Sequence, residues 1–167
     1  MAPEILYRVI YGTSTPQTDP QKSYLASSLT ILPALLKDFS RRRVIGADYP
    51  GIIPQRGHSV KGTIVSGLTT GDIYRLDKFE GDEYSKRWVD VIVQVAEEET
   101  KWKEELRRVQ TYVYVAGIKM LEEREWDYDE FRREKLGRWT GSSKEYRGLL
   151  FPRSVLGRFG MVNERLC

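Results

Sequence analysis

Histidine and cysteine are nearly missing from this chain: His58 and Cys167 are the only residues of either type among 167. One terminal cysteine cannot close an internal disulfide, and two such residues cannot build a zinc site of several His or Cys donors. A Ser-His-Asp triad would have to use His58, yet no G-x-S-x-G turn is there to hold a serine. In its context, "QRGHSVKG", this histidine reads as an exposed loop residue. Walker and G-x-G-x-x-G loops are lacking too. So are apolar runs of membrane-spanning length and a basic start followed by an apolar stretch, so a cytoplasmic protein with no membrane partner is expected. A strong charge of one sign is also absent, since the net charge is +3. The single dense basic cluster, Arg41 to Arg43, reads as a solvated face or strand entry, and no nucleic-acid partner is expected. No cofactor and no metal are implied. Any catalysis must rest on carboxylates, tyrosines, backbone amides, or lysine and arginine.

What is present describes a folded domain. With 40% apolar and 31% charged residues the chain can bury a core, and its length suits one domain spanning 1–167. After "SYLASSLTILPALLKDFS" the character changes to short β-rich segments. "RRRVIGADYPGIIP" reads as a strand ending in a turn at Tyr49-Pro50-Gly51. "HSVKGTIVSGL" reads as a strand in which Gly62 marks a bulge or a close backbone approach. "KRWVDVIVQV" alternates, with Val89, Val91, Val93 and Val95 on one face and Trp88, Asp90, Ile92 and Gln94 on the other. "TYVYVAG" is the next strand. Between these two, "AEEETKWKEELRR" has a helical composition and reads as an exposed excursion held down by Trp102 and Leu106. Asp127 and Glu130 form a capping-box pattern with Trp126 and Phe131 as its staple, which predicts a helix over 128–136 stopped by Gly137. From about 140 the chain is a Gly-punctuated extension with little signal. The fold class is α+β.

Residues 67–91, "GLTTGDIYRLDKFEGDEYSKRWVDV", carry the chemistry. Thr70 can cap a short helix starting near Gly71, with Ile73, Leu76 and Phe79 as its buried face and Gly81 as its stop. Glu80 follows Leu76 by four residues and Ile73 by seven, so its carboxylate projects from that apolar face. Burial and the nearby Asp77, Asp82 and Glu83 would raise its pKa, a costly placement that suits a general base. The plainer alternative is that Glu80 caps a turn or pairs with Lys86 or Arg87.

"ADYPGI", "SVKGTIVSGL" and above all "LDKFEGDEY" followed by V-x-V, with "TYVYV" and "EWDYDEF", resemble the gamma-glutamylcyclotransferase-like (avirulence-induced-gene-like) family in its fungal branch. The resemblance covers about residues 1–140, and L-D-x-F-E-G-x-E-Y is its specific part. It implies a small mixed β-barrel flanked by helices, with Glu80 as acid/base in a concave pocket. Tyr84 would line that pocket together with Tyr49. The family's arginine two residues past that tyrosine is Lys86 here, with Arg87 beside it. The implied substrate is a γ-glutamyl amine or related small molecule, cyclised to 5-oxoproline with release of the amine. The alternative is a member of the same fold that binds a small molecule or a protein without turnover.

The family also presents its substrate from a loop, aromatic-Tyr-Gly-Thr-Leu, at the end of its first strand. "VIYGTS" (residues 9–14) matches part of it, but Ile5, Leu6, Val9 and Ile10 form a helical stripe. Pro3 and Glu4 are helix-start residues and Gly12 is a stop, which predicts a helix over 3–11. Met1 then resembles the methionine that closes the family's loop. On that reading the first strand and its loop are missing, turnover is weak, and an exposed sheet edge invites a homodimer.

Overall fold

In the computed structural model, which describes residues 2–98, 101–140 and 162–163, the N-terminal stripe forms helix α1 (Pro3–Tyr11). Pro3 occupies its first turn, and Gly12, at φ 72°, ends it with an N–H donated to the Arg8 carbonyl. "VIYGT" is therefore a helix end. A second helix, α2 (Pro20–Ser27), is capped by Asp19, whose carboxylate accepts from the N–H groups of Gln21 and Lys22.

Among the described residues six strands follow: β1 (Thr30–Val44), β2 (Pro50–Ser66), β3 (Tyr84–Glu98), β4 (Lys101–Tyr114), β5 (Leu121–Glu125) and β6 (Val162–Asn163). Helix α3 (Thr70–Glu80) connects β2 to β3, and α4 (Tyr128–Glu134) and α5 (Leu136–Trp139) follow β5. The strand order is β2-β6-β4-β3-β1-β5, and β1 pairs with β2 as well, so five strands close into a ring. Pairing is antiparallel except between β2 and β6. This is a small mixed barrel flanked by helices, in the α+β class.

The alternation read in β3 holds: Val89, Val91 and Val93 are buried while Trp88, Asp90 and Gln94 are exposed. They join Leu36, Ile52, Val60, Ile64 and Val109 in a cluster made of strand residues alone, which fills the ring. The opposite face of the same strands carries Tyr84, Tyr112 and Tyr114, packed against Leu6 and Ile10 of α1 and Leu76 of α3. Two cores thus share one curved sheet, and the helices cover the outer one. A third cluster joins Ala2 and Ile5 to Trp126 and Phe131.

Several local expectations are corrected. "AEEETKWKEELRR" is not a helical excursion. Its first residues end β3 and its last ones run in β4, paired from Val95↔Lys103 through Val91↔Arg107. Trp102 and Leu106 are each 68% exposed and hold nothing down. β1 begins at Thr30, well before the point where the composition changes, and turns at 45–49, so that Pro50 and Gly51 open β2 rather than form the turn. Gly62 sits in regular register opposite Ala34; the irregularity lies between Lys37 and Phe39, where Asp38 adopts φ 60° and accepts the Gly57 N–H. His58 lies on exposed β2 backbone beside that irregularity, its Nε2 2.8 Å from Gln55 Nε2. The arginine cluster is engaged within the protein. Arg41 stacks 5.2 Å over Trp126, Arg42 donates to Gln55, and Arg43 donates to the Ala47 carbonyl. Asp127 caps α4 and its Trp126–Phe131 staple is in contact at 5.2 Å, but α4 ends at Glu134 and Gly137 lies inside α5. The extension from about 140 lies outside the described residues, apart from β6. Among the described residues no helix is long and apolar enough to cross a membrane.

Candidate active site

Helix α3 places the candidate carboxylates. Its cap is Thr69, one residue earlier than the pattern suggested. The Thr69 hydroxyl accepts the Asp72 N–H, and the Asp72 carboxylate accepts the Thr69 N–H in return. That box fixes the first turn and sets the phase of the helix. One strip then carries Asp72, Leu76 and Glu80, all buried, with Ile73 and Phe79 half-buried beside it. Glu80 is the last residue of the helix and only 1% exposed. Gly81, at φ 57°, turns the chain out of the helix, and Tyr84 starts β3.

The two tyrosines assigned to substrate are both buried near this turn. Tyr84 donates its hydroxyl to the Pro50 carbonyl at 3.0 Å and packs edge-on against Tyr114 at 5.3 Å. Tyr49 donates to Glu83 Oε2 at 3.4 Å and meets Trp139 edge-on at 6.4 Å. Gly51 completes the contact, since a Cβ at that position would lie 2.7 Å from the Cβ and Cγ of Tyr114. Tyr49-Pro50-Gly51 is therefore a lock, each residue meeting a different partner on or next to β3 and β4.

A third tyrosine completes the group. The β3–β4 register puts Lys86 directly opposite Tyr112. Both reach Asp77 on α3: the Tyr112 hydroxyl donates to Oδ1 at 2.6 Å and the Lys86 ammonium to Oδ2 at 2.9 Å. Lys86 thus serves Asp77. Burial pushes the Tyr112 phenol well above its usual range, reinforced by the Asp77 hydrogen bond and by the charges of Asp77 and Glu80. The Tyr112 hydroxyl stays protonated beside two carboxylates. The "TYVYV" run contained this residue, but its partnership depends on strand register, which local pattern does not report.

Three cavities formed by described residues lie elsewhere on the surface. One of about 20 Å³ sits between Arg43, Asp48 and Lys135, and one of about 110 Å³ lies near Ser40, His58 and Glu125. The largest of the three, about 370 Å³, opens between α1 and α3. None of them is lined by Glu80, Tyr84 or Tyr49.

A closed mixed barrel with a glutamate sealed at the end of its flanking helix defines the class of protein. Residues 9–140 match the family described as "Gamma-glutamyl cyclotransferase, AIG2-like", and the chain belongs to that family. Among curated proteins of Arabidopsis thaliana, AIG2-like protein B is 34% identical over 103 residues, covering 62% of this chain and 56% of that protein. AIG2-like protein C is 31% identical over 113 residues, covering 68% and 62%. The matched stretch thus spans little more than half the length of these relatives. A solution structure of another Arabidopsis thaliana protein shares 27% identity over 74% of this chain and 78% of that one, with a TM-score of 0.45.

Proposed function

We propose that this protein cyclises a γ-glutamyl amine, releasing 5-oxoproline and the free amine, with Glu80 as the general acid/base. The observation that carries the reading is the near-complete burial of Glu80 at the end of α3, within the run L-D-x-F-E-G-x-E-Y. A carboxylate withdrawn from water binds a proton more tightly, which suits it to accept one from an amine and to return it. The α-amine of the γ-glutamyl group would attack its own γ-carbonyl and close the five-membered lactam. Glu80 would take the proton lost by the attacking nitrogen and deliver it to the leaving nitrogen as the old amide bond breaks. Proton and electron-pair counts close without a metal or a cofactor. Asp77, held between Tyr112 and Lys86, anchors the last turn of α3 against β3 and β4 and so fixes where the Glu80 backbone stands.

The cytoplasmic location and the fungal placement belong to this reading and rest on the sequence pattern. A second reading is supported by the tyrosines: Tyr84 and Tyr49 spend their hydroxyls on Pro50 and Glu83. A member of the fold that binds without turnover would look the same at these positions. One experiment separates the two. Glu80→Gln keeps size and polarity and removes the base, so 5-oxoproline release from γ-glutamyl amines should fall about 10²-fold or more. Turnover unchanged by that substitution rules out Glu80 as the base. No turnover in the unaltered protein, with a γ-glutamyl amine still bound, favours the binding reading.

A further inference from the structure

The β3–β4 hairpin presents one face outward along most of its length. Alternation places Trp88, Asp90, Ile92, Gln94 and Ala96 of β3 on the same face as Lys86, and the register sets them opposite Gln110, Arg108, Leu106, Glu104 and Trp102 of β4. Helix α3 engages this face at Lys86 and Tyr112, through Asp77. Beyond that point the face opens to solvent: Trp88 is 47% exposed, and Trp102 and Leu106 are 68% exposed each. Ile92 is half-buried opposite Leu106. An apolar diagonal thus runs from Trp88 through Ile92 and Leu106 to Trp102, with Asp90, Arg108 and Glu104 beside it. Two indoles and a leucine held in water along one stripe mark a contact surface.

We propose that this face packs against the same face of a second copy of the chain, about a two-fold axis that crosses the hairpin at Ile92 and Leu106. Such an axis lies in the plane between the two faces and lays each strand antiparallel over its own copy, so Ile92 and Leu106 meet themselves at the centre. Two residues further along β4, Arg108 meets the partner's Glu104, and Glu104 meets the partner's Arg108. On β3, Asp90 meets the partner's Gln94. At the ends each indole lies over a smaller side chain, Trp88 over the partner's Ala96 and Trp102 over the partner's Gln110. Among these ten positions no like charges face one another. Sheets packed face to face stand about 10 Å apart with strands within about 30° of each other, which leaves these pairs within reach. A face complementary to itself in both size and charge selects a second copy over an unrelated partner.

The test uses the full chain, followed by sedimentation equilibrium and light scattering. The unaltered protein should be a dimer at about 100 μM. Arg108→Glu and Glu104→Arg should each weaken it about tenfold or more, because the two-fold axis repeats every like-charge contact. The double exchange of Glu104→Arg with Arg108→Glu restores opposite charges across the axis and should recover the dimer to within about threefold. Leu106→Asp, at the centre, should give a monomer, and circular dichroism checks that each variant is folded. A monomer from the unaltered chain overturns the proposal. So does a dimer indifferent to Leu106→Asp, or a folded double exchange that fails to recover. In a monomer, tryptophan fluorescence shielded from acrylamide would make the stretch after residue 140 the occupant of the face instead.

Discussion

Gly51→Ala is the sharpest test of how the barrel is locked to its helices. The added methyl would stand 2.7 Å from both Cβ and Cγ of Tyr114 and 3.1 Å from its Cδ2, inside van der Waals contact. Tyr114 has no easy retreat. It is 5% exposed, and Tyr84 packs edge-on against it at an interplanar angle of 77°. Tyr84 is held in turn by the Pro50 carbonyl, one residue from the substitution. Overpacking of this kind costs about 1–3 kcal/mol. At about 2–4 °C per kcal/mol for a chain of this size, the melting temperature should fall by about 2–12 °C. The control is Gly62→Ala on the same strand, where a new Cβ meets nothing within 4 Å. There the loss of freedom in the unfolded chain should make the change neutral or stabilising, by up to about 1 kcal/mol. Thermal melts by circular dichroism, with denaturant midpoints as a second measure, read both variants. If Gly51→Ala proves as stable as Gly62→Ala, the close approach of Tyr114 is not a constraint and the Tyr49-Pro50-Gly51 lock is wrong.

Two other perturbations address α3 and its partners. Tyr112→Phe deletes the hydrogen bond to Asp77 and should cost about 1.5–3 kcal/mol, since the acceptor is charged, read from urea midpoints. Its pH dependence has a defined sign. The folded phenol is held above its ordinary value of about 10, so above that pH the unfolded chain releases a proton that the folded one keeps. Stability therefore falls as pH rises beyond about 10, and Tyr112→Phe should reduce the slope there without removing it, because Tyr11, Tyr114 and Tyr128 are shifted in the same direction. A slope unaltered by the substitution contradicts the burial of Tyr112. Thr69→Ala breaks the capping box of α3 and should cost about 1–2 kcal/mol. If Glu80 is positioned by α3, the same variant should also lower any 5-oxoproline release. A normal midpoint would show that packing alone holds the helix.

Local pattern by itself determined the elements whose burial is periodic and whose ends are marked. Pro3, the stripe through Ile5, Leu6 and Ile10, and Gly12 specify α1 with no help from the rest of the chain. The valines of β3 specify a strand and its inward face, and the spacing from Leu76 to Glu80 put a carboxylate on the buried side of α3. The first ten residues of β4 could not be read this way. Trp102, Lys103, Glu104, Glu105, Leu106 and Arg108 are all exposed, and Arg107 donates to Glu105 at 2.9 Å, so no apolar alternation marks the strand. Hydrogen bonding to β3 makes it one, and that pairing exists only once the hairpin has formed. The same is true of the candidate site. Asp77, Lys86 and Tyr112 meet because the register of β3 and β4 sets two side chains opposite each other and helix packing brings the third to them. Cross-strand register and helix docking are non-local, so only the tertiary structure decided which residues surround the last turn of α3.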